Sequence, residues 1–377
     1  MAMINVIPAF DKALDLAVVK DIEHFFTKIN ERLLFKMGVR SSYDNGGEAA
    51  LGLDVEYFHF NITGDDRMRY MGQNVVLEPL SDRNKFCNAV ITHLYGGRCI
   101  NSIFSGKADP KKAHLDYERL AVDDAYVQEF YDNAAYAKMH GYKFYGTTEL
   151  HTSLQTAARN FVRHKYNQPD RAANNTDIVE WVASWAVSGL VDDVLSSKKL
   201  EDVYNKITKL PGIGAYYGYH LSVDSSLIPG TAYHHDEPFC VPGPGCCATL
   251  DMMFPTLKAA IKKMPYGDLI PWIEQNQQRL YPNIPFDPAL FNITNETTGQ
   301  KVFGFEQNKF MVYGLEVGHC QYGIYDRLKK NPHLIENRKC GSDPDLSAIK
   351  AREDGTPIEF STKNEKTNTA ATCLLEF

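Results

Sequence analysis

Apolar residues recur at three- and four-residue steps along much of this chain, and that spacing most restricts how it can fold. One such stretch runs from Leu14 to Leu33 and another from Val179 to Val194. This spacing places apolar side chains on one face of an α-helix. The two-residue alternation typical of strands is scarce, and its best examples are short runs near Val55–Phe60 and Lys301–Phe305. The pattern therefore predicts a mainly α-helical protein.

The composition indicates a folded chain of more than one domain. Of the 377 residues 44% are apolar and 23% are charged, and the net charge is −7. At roughly 100–200 residues per domain, two domains are expected. The division predicted from composition is an N-terminal helical domain at residues 1–165, a second domain at 175–340 and a polar, loosely ordered tail at 341–377. The polar segment 168–177 between the first two is also compatible with a surface loop inside one domain.

Nothing in the sequence indicates a membrane segment, a secretion signal or a metal site. No run approaches the ~18 consecutive apolar residues of a membrane span, and the first residues lack the regions of a signal peptide. The eight cysteines include no Cys-x-x-Cys pair, and the His, Cys, Asp and Glu residues show no metal-ligand spacing. Reduced thiols, a cytoplasmic location, no membrane partner and no resident cofactor are therefore expected.

The most specific local pattern lies at residues 200–223, where an amphipathic helix, a short turn and a second helix follow one another. The turn reads Leu210-Pro-Gly-Ile-Gly214. Two glycines let the chain reverse and expose its amide groups, and the second helix adds the positive end of its dipole, so the turn can bind a DNA phosphate. Lys206 and Lys209 precede the turn and favour the same partner. An ordinary helix–helix turn explains the same residues.

The stretch Leu210–Leu221 resembles the helix–hairpin–helix of the DNA glycosylase superfamily. In that superfamily an Asp that follows the hairpin is catalytic, and here Asp236 lies twenty-two residues after Gly214. Members that form a Schiff base with DNA have a Lys where this chain has Tyr216, so the resemblance implies no amine-type lyase chemistry. It implies DNA contacts from Leu210, Gly212, Ile213, Gly214, Ala215 and Tyr216.

Further stretches resemble one bacteriophage family, the α-glutamyl/putrescinyl thymine pyrophosphorylases, or amino acid:DNA transferases, which build hypermodified thymines. The stretches are Glu31-Arg32 with Phe60–Arg67, Val241–Cys246 and Cys320–Arg327. With the hairpin they follow the family's order over about residues 15–330. The chain has Gly64 and Gln321 where the family has Arg and Glu, and these departures leave the transferred amine open.

This resemblance implies a mainly α fold with a glycosylase-like core, and a transferase that acts on double-stranded DNA carrying a modified thymine. An amine from an amino acid or polyamine displaces pyrophosphate from 5-(pyrophosphoryloxymethyl)uracil, with the target base outside the stack. A divalent ion held by the pyrophosphate is compatible with this chemistry. The kinase upstream in such pathways shares the helical portion but adds a Gly-x-x-x-x-Gly-Lys-Ser/Thr motif, which this sequence lacks. A monofunctional DNA glycosylase and a non-catalytic DNA-binding protein are the alternative interpretations.

Asp236 is the first catalytic candidate that the resemblance implies. An ionised carboxylate stabilises a cationic methylene carbon or takes a proton from the amine, whereas the structural alternative is a helix cap or an ion pair with an arginine. His235 and Arg327 are the other catalytic candidates, because imidazolium and guanidinium groups suit a departing pyrophosphate. Adjacent side chains seldom point the same way, so at most one of His234 and His235 is expected to contact the pyrophosphate.

A second set of residues is predicted to bind substrate, and each has a structural alternative. The Gly243–Gly245 loop either exposes its amides or only turns the chain. Cys320 is expected to be a buried, unreactive thiol, because the sequence provides no evident activating base. A charged corner formed by Asn61, Asp65, Asp66 and Arg67 either fixes the helical domain or acts directly in catalysis. The substrate-binding candidates are His234, Glu237, Gly243, Gly245, Cys320, Tyr325, Asn61 and Arg67.

Overall fold

A computed structural model gives the structure of this chain. It describes residues 7–36, 38–42, 70–95, 100–142, 152–171, 174, 176–235, 237–260, 266–285, 292–294, 301–304, 309–334 and 345–355. Three predicted site residues, Asn61, Arg67 and Asp236, lie outside the described residues, as does the predicted strand near Val55–Phe60.

The structure is mainly helical, which confirms the predicted fold class. The α-helices are α1 (Ile7–Ala13), α2 (Leu16–Lys36), α3 (Asp82–Tyr95), α4 (Ile100–Ser105), α5 (Tyr117–Val122), α6 (Asp124–Met139), α7 (Thr152–Lys165), α8 (Asp177–Val187), α9 (Leu190–Leu195), α10 (Leu200–Ile207), α11 (Ala215–Ser225), α12 (Pro244–Met253), α13 (Pro255–Ala260), α14 (Tyr266–Leu280), α15 (Val312–Lys330) and α16 (Ser347–Glu353). A π-helical turn covers Gly72–Val76 and a 3-10 turn covers Pro332–Leu334. Strands β1 (Asn292–Thr294) and β2 (Lys301–Gly304) pair in a two-stranded sheet, so the strand predicted near Lys301 is confirmed.

The chain forms two compact units that do not follow its linear order. The first unit comprises Met1–Asp65, His235–Ile293 and Phe303–Glu336, and the second comprises Asp66–His234, Thr294–Val302 and Asn337–Phe377. This arrangement differs from the division predicted at residues 165–175. Helices α7 and α8, which flank that segment, pack together inside the second unit, because each buries an apolar face.

The first unit has an aromatic core formed by α2, α14 and α15. The Phe26 ring lies 5.4 Å from the Tyr281 ring, 5.6 Å from the Phe310 ring and 5.4 Å from the His319 ring, measured between centroids. The Gln277 side chain accepts a hydrogen bond from the Phe310 amide at 2.7 Å and donates one to its carbonyl at 2.8 Å. These contacts fix α15, which carries three of the predicted site residues.

Helix α8 forms the centre of the second unit. Nine of its eleven residues are buried, and α3, α5 and α7 pack against it. The buried Glu180 carboxylate accepts hydrogen bonds from Lys165 Nζ at 2.8 Å and Tyr166 OH at 2.6 Å, so its charge has partners in the core. The helix ends before Gly189, whose φ of +79° divides the apolar stretch from Val179 to Val194 into α8 and α9.

Part of the predicted loosely ordered tail is helical. Within residues 341–377, α16 packs onto the second unit with Ile349 buried. The Tyr136 hydroxyl donates to the Ala348 carbonyl at 3.1 Å, and the Arg352 guanidinium lies 4.5 Å from the centroid of the Tyr136 ring. Tertiary contacts thus accompany a helix in a segment whose polar composition predicts no regular structure.

Candidate functional site

Helices α10 and α11 join through a tight turn, as the Leu210–Gly214 pattern predicts. Gly212 has a φ of +81°, which residues with a Cβ adopt only at a cost, and the Ile213 amide donates to the Leu210 carbonyl at 3.1 Å. Ile213 is buried and Leu210 is half-buried. These two predicted DNA contacts therefore contribute apolar packing under the turn.

Three amide groups, in this turn and at the start of α11, are open. The first helical hydrogen bond of α11 runs from the Gly218 amide to the Gly214 carbonyl at 2.9 Å. Among the described residues, no group accepts from the amides of Gly212, Gly214 or Ala215. Open amides at a helix N-terminus, together with the helix dipole, form an anion-binding arrangement without a charged side chain.

Two contacts behind the turn hold the helices in place. A Cβ on Gly218 would lie 2.3 Å from Thr208 Cγ2, so a glycine here allows α10 and α11 to approach closely. At the other end of α11, Asp224 Oδ2 lies 2.7 Å from His93 Nδ1 of α3, and both side chains are almost completely buried. Tyr216 is the most exposed ring nearby, and it lies 4.3 Å from the His220 ring.

The hairpin lies in the second unit, whereas most of the residues predicted for chemistry lie in the first. His234 ends a segment of the second unit, whereas His235 and Glu237 begin a segment of the first, on either side of Asp236. His234 is exposed, and His235 and Glu237 are half-buried. In the first unit, this segment leads to Gly243 and α12.

The Gly243 amide is already bonded. It donates to Glu316 Oε1 at 2.9 Å, and Glu316 on α15 is only 1% exposed. Burial raises the pKa of Glu316 to about 7. The hydrogen bond from Gly243 has the opposite, smaller effect on this pKa. Of the two alternatives for this loop, exposed amides or a plain turn, the Gly243 amide fits the second, because a buried carboxylate accepts its hydrogen bond.

Glycines also allow α12 and α15 to cross closely. A Cβ on Gly245 would lie 2.6 Å from Cys320 Sγ, and one on Gly323 would lie 2.9 Å from Thr249 Oγ1. The Thr249 hydroxyl donates to the His319 carbonyl at 2.7 Å. The structure thus brings the predicted residues Gly243, Gly245 and Cys320 to one helix crossing.

Burial favours the neutral forms of Cys320 and His319 on α15. Burial, with a smaller effect of Glu316, raises the pKa of Cys320 to about 12. Burial lowers the pKa of His319 to about 4, while its Nδ1 lies 2.5 Å from the Leu315 carbonyl and its Nε2 lies 2.9 Å from Tyr281 OH. Cys320 is therefore a thiol rather than a thiolate near neutral pH.

The last two candidates on α15 differ in exposure. Tyr325 is buried against Phe25, with ring centroids 4.8 Å apart, and packs near Tyr322. Tyr325 therefore packs in the core of the first unit. Arg327 is exposed, and among the described residues its guanidinium has no hydrogen-bond or ion-pair partner. Of the two, Arg327 has the charge and the access to bind an anion.

The described residues contain neither a candidate metal centre nor a candidate membrane span. No group of three or more His, Cys, Asp or Glu side chains has a geometry that can hold a metal ion. No described helix combines the length and the apolar character that crossing a membrane requires.

Sequence patterns did not point to Glu316 or to the pair His93 and Asp224. The signal for Glu316 is a lone carboxylate four residues before Cys320 on an otherwise apolar helix face. No comparable signal exists for His93 and Asp224, which are 131 residues apart and meet only through packing.

One protein-family model matches this chain. The model of the 5-hmdU DNA kinase helical domain matches residues 119–331, which is more than half of the chain. The chain belongs to the 5-hmdU DNA kinase helical-domain family. No curated protein and no solved structure matches it.

The match to the 5-hmdU DNA kinase helical domain covers the hairpin in the second unit and the candidate residues in the first. It begins within α5 and ends one residue after α15. It therefore includes the hairpin, the segment from His234 to Gly245 and the α15 residues, and it leaves out α1 to α4.

Proposed function

We propose that this protein transfers an amine to a modified thymine in DNA. The amine displaces pyrophosphate from 5-(pyrophosphoryloxymethyl)uracil in the duplex, and the substrate is bacteriophage DNA in the host cytoplasm. Membership of the 5-hmdU DNA kinase family supports a DNA substrate that carries a modified thymine. The observation that carries the DNA part is the hairpin, whose open amides at Gly212, Gly214 and Ala215 suit a backbone phosphate.

The reaction class rests on the sequence. None of the 377 residues forms a Gly-x-x-x-x-Gly-Lys-Ser/Thr motif, so the chain offers no recognisable cradle for the phosphates of ATP. In the transfer, the nitrogen lone pair of the amine forms a bond to the 5-methylene carbon, and the carbon–oxygen bond to pyrophosphate breaks. The nitrogen proton passes to a base, for which Asp236 is our candidate. Arg327 is the exposed cation that we assign to the leaving pyrophosphate.

The direct test is a reaction of the protein with DNA that carries 5-(pyrophosphoryloxymethyl)uracil and a panel of amines. Digestion to nucleosides and mass measurement are expected to show an amine adduct, and pyrophosphate release is expected to require the amine. Abasic sites would favour the glycosylase interpretation, and ATP-dependent phosphorylation of 5-hydroxymethyluracil would favour a kinase. The Asp236→Asn variant is expected to lose about 10²–10³ in rate while it still binds DNA.

DNA binding has its own test in Gly214→Val. Gly214 has an extended backbone, and no atom lies within 4 Å of an added Cβ, so the fold is expected to tolerate the side chain. The side chain would cover the open amides, so affinity for all DNA sequences is expected to fall about equally. Unchanged affinity with an unchanged fold would reject the hairpin as the DNA contact. Gly212 is a poorer test position, because its positive φ makes any substitution a change of stability.

A further inference from the structure

A pocket of about 420 Å³ lies next to the hairpin, in the second unit. Its walls come from the turn between α9 and α10 and from the exposed face of α10. They include Ser196, Lys198, Asp202, Asn205, Lys206 and Lys209. Hydroxyl, amide and ammonium donors predominate in this lining, and such donors suit a phosphate-type anion.

The three lysines of the pocket have different roles. Lys206 Nζ donates to the Asp193 carbonyl at 2.6 Å, to its carboxylate at 2.9 Å and to Ser197 Oγ at 3.0 Å, so it is part of the wall. Lys198 and Lys209 are exposed, and their ammonium groups have no partner among the described residues. Asp202 is the one carboxylate of the lining and opposes them.

The pocket and the hairpin are close along the chain. Lys209 directly precedes Leu210 and is three residues from Gly212, a distance that an extended chain spans in at most about 11 Å. One DNA strand advances about 3.4 Å along the axis for each phosphate. A strand with one phosphate on the hairpin therefore has another within reach of the pocket.

We propose that this pocket binds a second phosphate of the DNA backbone, next to the phosphate on the hairpin. The proposal rests on the DNA-binding role proposed above and adds a site for which Lys198 and Lys209 provide the charge. The Asp202 carboxylate opposes a bound phosphate. Removing the charge of a lysine and removing the charge of Asp202 should therefore change the affinity for DNA in opposite directions.

The test measures duplex binding by fluorescence anisotropy from 50 to 200 mM salt. Affinity for DNA falls steeply in this range, because each phosphate contact releases about one counterion. Lys198→Gln with Lys209→Gln is expected to weaken binding about tenfold or more and to reduce the slope of log K against log salt by about two, one for each lysine. Asp202→Asn is expected to strengthen binding. The matched control, Lys112→Gln with Lys138→Gln, removes two exposed lysines elsewhere in the same unit and is expected to leave the slope unchanged.

A calorimetric titration with inorganic pyrophosphate separates the two sources of phosphate. If the Lys198/Lys209 variant loses pyrophosphate binding but keeps the DNA salt slope, the pocket holds a free anion and the proposal is overturned. If Gly214→Val weakens DNA binding and the lysine variant does not, only the pocket proposal fails. If neither variant weakens it, the DNA-binding role fails as well. All of these side chains are exposed, so equal unfolding midpoints are expected.

Discussion

At the scale of single residues, α15 carries two buried groups whose protonation has opposite effects on stability. Glu316 and His319 lie three residues apart, and burial favours the neutral form of each. The folded protein therefore binds the Glu316 proton more tightly than the unfolded chain, and the His319 proton less tightly. Over the same range of pH the two contributions to the free energy of unfolding nearly cancel.

Glu316→Gln is expected to remove one of these contributions. The pKa of Glu316 rises from 4.5 to about 7, so its contribution is present below pH 4.5 and is lost as the pH rises to 7. Urea denaturation at a series of pH values is expected to show the stability advantage of the natural protein over the variant falling by up to roughly 3 kcal/mol across that range.

His319→Gln is the complementary control. The pKa of His319 falls from 6.5 to about 4, so its contribution is present above pH 6.5 and is lost as the pH falls to 4. The advantage of the natural protein over this variant is expected to decrease toward acid. A difference that does not depend on pH in either variant would contradict the assignment of buried neutral groups.

At the scale of elements, the helices of the candidate site cross where one of them has a glycine. Gly218 allows α11 to approach Thr208 behind the hairpin, and Gly245 allows α12 to approach Cys320. In both crossings the neighbouring atom belongs to a short side chain, which has little freedom to move. These glycines therefore act through close packing, whereas Gly212 acts through its positive φ.

Gly218→Ala is expected to destabilise the protein by about 1–3 kcal/mol, because the new methyl group would lie 2.3 Å from Thr208 Cγ2. Thr208→Ser removes that methyl group and keeps the hydroxyl that donates to the Tyr204 carbonyl at 2.7 Å. The double variant is expected to recover part of the loss in urea unfolding, which gives a favourable coupling energy in a double-mutant cycle. Simple additivity of the two changes would show that the contact does not limit the packing.

At the scale of the whole molecule, each unit is assembled from distant parts of the chain. Helix α2 of the first unit packs against α12, α14 and α15, which follow it by more than two hundred residues. In the second unit, α7 and α8 pack together across residues 166–176. A cut within that segment therefore separates helices that need each other to bury their apolar faces.

Separate fragments 1–165 and 175–340 are expected to lack cooperative unfolding, because each loses packing partners from both units. Circular dichroism during urea titration checks this, with the full chain as the control. Two fragments that each unfold in a sharp transition would support the linear division that the composition indicates.

The helical class, the strand at Lys301 and the turn between α10 and α11 could be predicted from the sequence, and the raised pKa of Cys320 agrees with the thiol form expected there. Each of these follows from local spacing or from the residue type, which act over a few neighbouring residues. Three other features became visible only in the folded chain: Glu316 accepts the hydrogen bond of the Gly243 amide, Asp224 contacts His93, and the first unit is built from separate segments of the chain. These features depend on which buried faces meet, and a contact between residues far apart in the chain leaves no local pattern from which it can be predicted.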